Sequence, residues 1–199
     1  MPRIKPKYAY FLCRLVAVAA ASHGRVVSEG WSTALERTVY VKTDAGSRIR
    51  FGRRVYVKRG ANIEAFDGGE IIIGAHTFIN RYCSIVSRSR IYIGGDCLIG
   101  DGVSIYDHNH KVTDAAVPYR RQGYVGRPVR IGNNVWIGAK VFIGAGVTIG
   151  DNVVIGAHTV VTKDVPSDCI VYGRAELTIR PLRTVYAEGE PNRTEDGRT

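Results

Sequence analysis

The sequence predicts an all-β chain wound as a parallel β-helix, and three observations carry that expectation. Between Ile131 and Val161 the chain reads IGNNVWIGAKVFIGAGVTIGDNVVIGAHTVV, with Ile or Val at 131, 137, 143, 149, 155 and 161. Six residues of α-helix advance about 600°, which scatters these side chains over three faces and leaves no apolar stripe. On strands each Ile shares its side with the residue two before it, Val135, Val141, Val147 or Val153. Next, a glycine follows each Ile (Gly132, Gly138, Gly144, Gly150, Gly156), as expected of a sharp corner after a short strand. Finally, one register covers far more of the chain: Phe51, Val57, Ile63; Ile73, Ile79, Ile85; Ile93, Ile99, Ile105; Ile131, Ile137, Ile143; Ile149, Ile155, Val161. The step is six within each triad and varies only between triads. All extra residues therefore enter at one edge of a triangular prism, the edge where a solenoid carries its functional loops.

Taken in order, residues 1–34 are expected to be a helical segment. Tyr8, Phe11, Leu12, Leu15, Val16 and Ala19 share one helix face, with Arg14 off it. Basic residues ahead of an apolar run imitate a signal peptide. Arg14 interrupts the run, however, and the run falls short of the roughly 20 apolar residues a membrane span needs. The expected role is a cap over the open end of the first coil. A second reading rests Lys5, Lys7 and Arg14 on an anionic membrane surface. The β pattern begins at Leu35, giving about five coils within residues 35–186. One long insertion, Tyr106 to Arg130, reads YDHNHKVTDAAVPYRRQGYVGRPVR and holds two of the five histidines. A loop of that length inside a compact repeat is functional or disordered, and its aromatic and β-branched residues favour an ordered flap. Residues 187–199 are polar and expected to be disordered.

The 199 residues carry a net charge of +10, which suits a polyanionic partner: nucleic acid, acidic glycan, anionic lipid or a phosphate-rich cofactor. No basic block is interleaved with aromatics, which argues against nucleic acid. The four cysteines form no CxxC, which argues against a zinc knuckle or redox motif. Cys83 and Cys97 precede Ile85 and Ile99 by two residues, so they are expected to be core thiols in a reducing cytoplasm.

IGNNVWIG followed by VIGAHTVVTKDVP resembles the hexapeptide-repeat acyltransferases, the left-handed β-helix family that includes galactoside, maltose, serine and streptogramin acetyltransferases. The likeness covers residues 51 to 180. The left hand comes from the resemblance alone, since parallel crossovers are otherwise right-handed. The resemblance implies a homotrimer with acetyl-CoA in the cleft between subunits and no metal. In the related γ-class carbonic anhydrases zinc is held by three histidines that include an HxxxxH pair, whereas this chain has HxH.

The family's catalytic histidine lies in a loop at the same point of the coil series. His110 matches it best through NHKVTD, and His108 is the competitor, otherwise assigned with Asn80 and Asp107 to the acceptor. An alcohol must lose its proton as it attacks a thioester, and imidazole is the side chain poised to take it near neutral pH. Asp107 or Asp114 could fix the tautomer. His76 and His158, both in GAHT, read as repeat-surface residues. Similarity places the cofactor near Trp136, Ala139, Ala157, Thr162 and Lys163, with Arg180 reaching a phosphate.

Three departures stand out. Ala139 replaces a hydroxyl that aids the oxyanion in relatives. Leu177 replaces a phosphate-binding Arg, with Arg174 and Arg183 as alternatives. Arg88 stands where the sugar acetyltransferases have an acidic residue. The string DHNHKVTD, the N-terminal helix and the basic surface resemble the polysaccharide-biosynthesis branch, which acetylates surface-glycan sugars. The expectation is a cytoplasmic acetyl-CoA:sugar O-acetyltransferase, with peripheral contact at the inner face of the membrane under the second reading of the N-terminal helix. An antibiotic acetyltransferase and a non-catalytic β-helix scaffold are the alternatives.

Overall fold

The computed structural model describes residues 6–30 and 32–173. After helix α1 (Pro6–Ala21) the regular elements are short strands and a single 3₁₀ turn, Tyr119–Arg121. Outside one antiparallel hairpin, every third strand as far as Val160–Val161 joins the same parallel sheet, and with the final strand the sheets hold six, seven and six strands. We call them faces 1, 2 and 3 in the order the chain visits them. The result is a left-handed parallel β-helix of six complete coils, over residues 26–43, 48–65, 70–87, 90–106, 129–143 and 148–161. Ile170–Val171 then extends face 2 by one further strand.

That is one coil more than the sequence pattern suggests, because the solenoid starts at Val26 rather than Leu35. The extra coil aligns Ser28 with Phe51, Leu35 with Val57 and Val41 with Ile63. Two features hid it. Ser28 is polar, its hydroxyl bonding back to Gly30 O at 2.9 Å and Thr33 Oγ1 at 3.0 Å, and the step from Ser28 to Leu35 is one residue longer than the repeat.

The interior follows the predicted register. All fifteen triad residues are buried, none more than 4% exposed. The positions two residues earlier are buried too, among them Val55, Val103, Val135 and Val153. Each such side chain contributes on the order of 1.5–3 kcal/mol by leaving water, and stacking in register lets one coil's Ile cover the next.

The corner glycines serve a purpose other than the turn freedom expected of them. A Cβ on Gly94 would lie 2.4 Å from Gly132 O, and one on Gly138 would lie 2.5 Å from Ala157 N. The backbone of the next coil occupies the space a side chain would need. Left-handed φ falls instead on other corner residues, including His76 (61°), Asn134 (53°) and His158 (60°).

Helix α1 closes the first coil. Leu15 is 5% exposed and joins the core, with Val18 packed beside it. The Arg14 guanidinium donates to the carbonyls of Arg37 and Val39, open acceptors at the solenoid end. Reaching them rolls the helix, so its buried side runs through Leu15, Val18 and Ser22, and Val16, expected on the apolar face, is 58% exposed. Residues 1–5, the side chains of Lys7, Tyr8, Phe11 and Leu12, and residues 174–199 lie outside the described set, and with them Lys5, Arg174, Leu177, Arg180, Arg183 and the 187–199 tail. Among the described residues no helix is long and apolar enough to cross a membrane.

Candidate functional site

The insertion leaves the prism where face 3 turns into face 1, directly after strand Ser104–Tyr106, and returns at Val129. Its root is a carboxylate. Asp107 is fully buried and accepts from Ser87 Oγ (2.6 Å), Arg88 N (2.8 Å) and Ser89 N (2.9 Å), all on the corner of the coil below. Its own carbonyl accepts from Arg127 N at 2.7 Å, which ties the two ends of the insertion together. Strands His108–His110 and Tyr124–Gly126 then pair antiparallel, with His110 opposite Tyr124. The tip beyond them is held by one amide. Gln122 Oε1 accepts from Thr113 N, Thr113 Oγ1 and Asp114 N at 2.8–3.2 Å, while its Nε2 donates to Asp114 O and Val117 O at 2.8 and 2.7 Å. The flap is therefore ordered by its own polar groups.

The two histidines have different surroundings. His108 is half-buried, and its Nδ1 lies 3.1 Å from Asp107 Oδ1. A carboxylate only accepts, so this contact places the proton on Nδ1 and leaves the Nε2 lone pair free. The ring sits between Tyr106 (6.0 Å) and Tyr124 (5.5 Å), both edge-on. His110 is exposed, and its ring centroid lies 4.4 Å from that of Tyr124. Asp107, one of two candidate orienting acids, thus contacts His108. The other, Asp114, is exposed and caps Ala116 N at 2.8 Å. Arg88 stacks 3.8 Å over the Tyr124 ring and pairs with Asp67, so its charge is spent within the chain.

The remaining predicted residues divide between two edges of the prism. Asn80, Ala139 and Ala157 sit where face 2 turns into face 3; Asn80 Nδ2 donates to Asp101 Oδ2 at 2.9 Å, and Ala139 O accepts from His158 N at 2.9 Å. Thr162 and Lys163 are exposed on the edge that carries the histidines, two coils further on. Trp136 stands on face 2, 56% exposed, in a row with Phe78, Leu98 and Val154. A single chain therefore keeps these groups on opposite margins of face 3. His76 and His158 are both exposed corner residues, and His76 Nδ1 lies 3.2 Å from Asp96 Oδ1. Among the described residues no three His, Cys, Asp or Glu side chains converge as metal ligands.

Sequence reasoning missed Gln122, Tyr124 and Ser87. Their only signal was position: two lie in the insertion, and Ser87 holds an inward strand position occupied by Ala65 in the coil before.

Residues 128–163 match the family model "Bacterial transferase hexapeptide (six repeats)". Nodulation protein L of Rhizobium meliloti (strain 1021) is 45% identical over 108 residues, 53% of this chain and 57% of that protein. The putative lipopolysaccharide biosynthesis O-acetyl transferase WbbJ of Escherichia coli (strain K12) is 35% identical over 71 residues, 36% of this chain and 35% of that protein. The chain thus spans little more than half the length of the first relative and about a third of the second. Among solved structures, the hexapeptide-repeat containing acetyltransferase VCA0836 of Vibrio cholerae superposes with a TM-score of 0.51 at 27% identity, covering 86% of this chain and 81% of that one.

Proposed function

We propose that this chain, whose repeats are those of the bacterial hexapeptide transferases, is an acetyl-CoA-dependent O-acetyltransferase acting on a sugar hydroxyl in surface-glycan biosynthesis. The observation that carries the reading is the Asp107–His108 contact at the root of the insertion. A buried, triply bonded carboxylate orients an imidazole beside a solvent-facing flap. As the acceptor oxygen attacks the acetyl carbonyl, its proton passes to Nε2 of His108 while Asp107 stabilises the imidazolium. Collapse of the tetrahedral adduct breaks the C–S bond, and the imidazolium returns the proton to the CoA sulfur. With Ala139 lacking a hydroxyl, oxyanion stabilisation falls to backbone N–H groups or water.

A second reading makes His110 the base, supported by its fit to the family string and by its exposure. Under either reading Asn80 helps hold the acceptor, and Trp136, Ala139, Ala157, Thr162, Lys163 and Arg180 line the CoA path. The small side chains of Ala139 and Ala157 permit close approach of pantetheine, and Lys163 suits a phosphate.

The division of these residues between two edges supports a homotrimer, in which one subunit's histidine edge meets the next subunit's alanine edge. The apolar row on face 2 supports the same arrangement, since its Leu98 and Ile170 are 54% and 73% exposed in the single chain. The core contacts of Leu15 and the carbonyl contacts of Arg14 support α1 as a cap rather than a membrane anchor. Among the described residues Cys83, Cys97 and Cys169 are free, which suits a reducing cytoplasm.

The test is release of free thiol from acetyl-CoA, scanned across free sugars, nucleotide sugars, oligosaccharides and antibiotics. Turnover only on antibiotics moves the acceptor class, and none on any acceptor makes the chain a scaffold. His108→Ala should lower turnover by roughly 10² to 10⁴ with near-normal acetyl-CoA affinity, because proton transfer is lost and no CoA contact is. His110→Ala should cost much less. The reverse order establishes the second reading, and full activity in both variants removes histidine from the mechanism.

A further inference from the structure

We propose that face 1 is the docking track for an anionic polysaccharide, the polymeric form of the acceptor, lying along the solenoid axis with one unit delivered to the histidine edge. The proposal rests on the sugar-acceptor reading above. Its basis is the segregation of charge among the three faces. On face 1 the outward positions carry Arg48, Glu70 and Arg90 in one row, and Arg50, Ile72, Tyr92 and Arg130 in the next. The outward row of face 2, from Tyr56 to Ile170, holds no charged residue.

The arginines on face 1 are only partly compensated. Glu70 serves two of them at once, Arg90 Nε at 3.0 Å and Arg50 Nε at 3.8 Å. Arg130 lies over the Tyr92 ring at 4.7 Å, which holds its planar fork against the face. Arg48, Arg50, Arg90 and Arg130 are all exposed. Guanidinium forks recognise carboxylate, sulfate and phosphate esters bidentately. Successive coils are about 4.8 Å apart, an interval on the scale of a sugar ring, so a linear acidic glycan laid along the axis meets Arg48 and Arg50 on the second coil, Arg90 on the fourth and Arg130 on the fifth, with Glu70 and Ile72 on the coil between.

The track also has two ends. At the first coil a concavity of about 450 Å³ is lined by Arg25, Arg48 and Arg50 against a single acid, Glu29, together with Val27 and Phe51. At the other margin face 1 runs into the insertion, where Lys111, Arg120, Arg121 and Arg127 are exposed and Asp114 is the sole exposed carboxylate. Positive charge therefore leads to the imidazoles. A bilayer fits less well: among the described residues Val27 (45%) is the only exposed large hydrophobic on the strands of this face, whereas interfacial binding needs an apolar layer to insert.

The experiment titrates the full chain with polygalacturonate, with neutral dextran, and with phosphatidylcholine vesicles containing phosphatidylglycerol. Polygalacturonate should bind with an affinity that falls as salt rises, and dextran should not bind. Arg48→Gln/Arg130→Gln should weaken polygalacturonate binding roughly tenfold or more, whereas Arg48→Lys/Arg130→Lys, which keeps the charge, should retain most of it. Thiol release with a monosaccharide acceptor should be unchanged in both variants, which also reports that they fold. Equal binding of polygalacturonate by wild type and the Gln variant overturns the proposal, as does preference for dextran. Tighter binding to the vesicles than to the polymer overturns it in favour of a membrane surface. Polymer binding without acetyl transfer to any saccharide leaves the track standing and sinks the acetyltransferase reading instead.

Discussion

The six coils and the 106–130 insertion satisfy their backbones by opposite means. In the coils each strand is paired by the strands above and below it, and the same few side chains recur at the same places. No single residue is special, because the work is shared by a repeated contact. The insertion has one two-stranded pairing and otherwise hangs from individual side chains: Asp107 at its root and Gln122 at its tip. A region built by repetition is stiff and predictable, whereas a region built by a few polar hubs can be redesigned without disturbing the scaffold beneath it. That difference places the candidate chemistry in the insertion and the rigidity that positions it in the coils.

The comparison breaks first if a core truncation is mild. Ile99 is 1% exposed and lies between Ile79 and Ile137 in the face 2 stack. Ile99→Ala should cost about 2–5 kcal/mol of unfolding free energy, the transfer term plus a cavity that rigid coils cannot close. Urea denaturation measures it. A loss well below that range would mean that neighbouring coils relax into the gap, and that the prism is less rigid than its register implies.

The insertion should behave otherwise. Gln122→Ala removes five hydrogen bonds from the tip, leaving Thr113 N, Asp114 N and two carbonyls to water. Because this segment is exposed, the expected cost is about 1–3 kcal/mol, felt locally. Hydrogen exchange of residues 111–122 should accelerate while the coil amides keep their protection. Equal acceleration of coil amides would show that flap and scaffold unfold as one unit.

The same contrast explains what the sequence disclosed. Ile, Val and Gly at period six wrote the coils into the chain, and all fifteen interior positions followed. The first coil was illegible because Ser28 breaks the apolar column and its step is irregular. The glycines were recognised as corner residues, but the backbone crossing that excludes a Cβ at Gly94 and Gly138 is a property of two coils stacked, invisible in one. In the insertion, residue types pointed to chemistry, yet which histidine meets Asp107 depends on Ser87, Arg88 and Ser89 from the previous coil. Nothing in the spacing of DHNH encodes that. The roll of α1 was equally hidden, since Arg14 reads as solvent-facing until the open carbonyls of Arg37 and Val39 are in place.

The smallest expected effect is chemical and sharpens the comparison from the side of the coils. Cys83 is 1% exposed, with its Sγ 3.1 Å from Gly100 O; burial pushes its thiol up to about 11 from an ordinary 9.0. Burial disfavours the charged thiolate, so the shift is upward, and at a given pH below both values the thiolate population falls about 100-fold. Cys169, half-buried after the last full coil, has no comparable enclosure. In native protein at pH 8, iodoacetamide should label Cys169 far faster than Cys83, with mass spectrometry of peptides reading each site. Cys97, also buried and likewise shifted up by burial, should follow Cys83. In denaturant the three rates should converge, because the difference belongs to the fold and not to the thiols. If Cys83 instead labels as fast as Cys169 in the native state, the third and fourth coils open on the time scale of the reaction. The stiffness assigned to repetition would then be absent where the insertion is anchored.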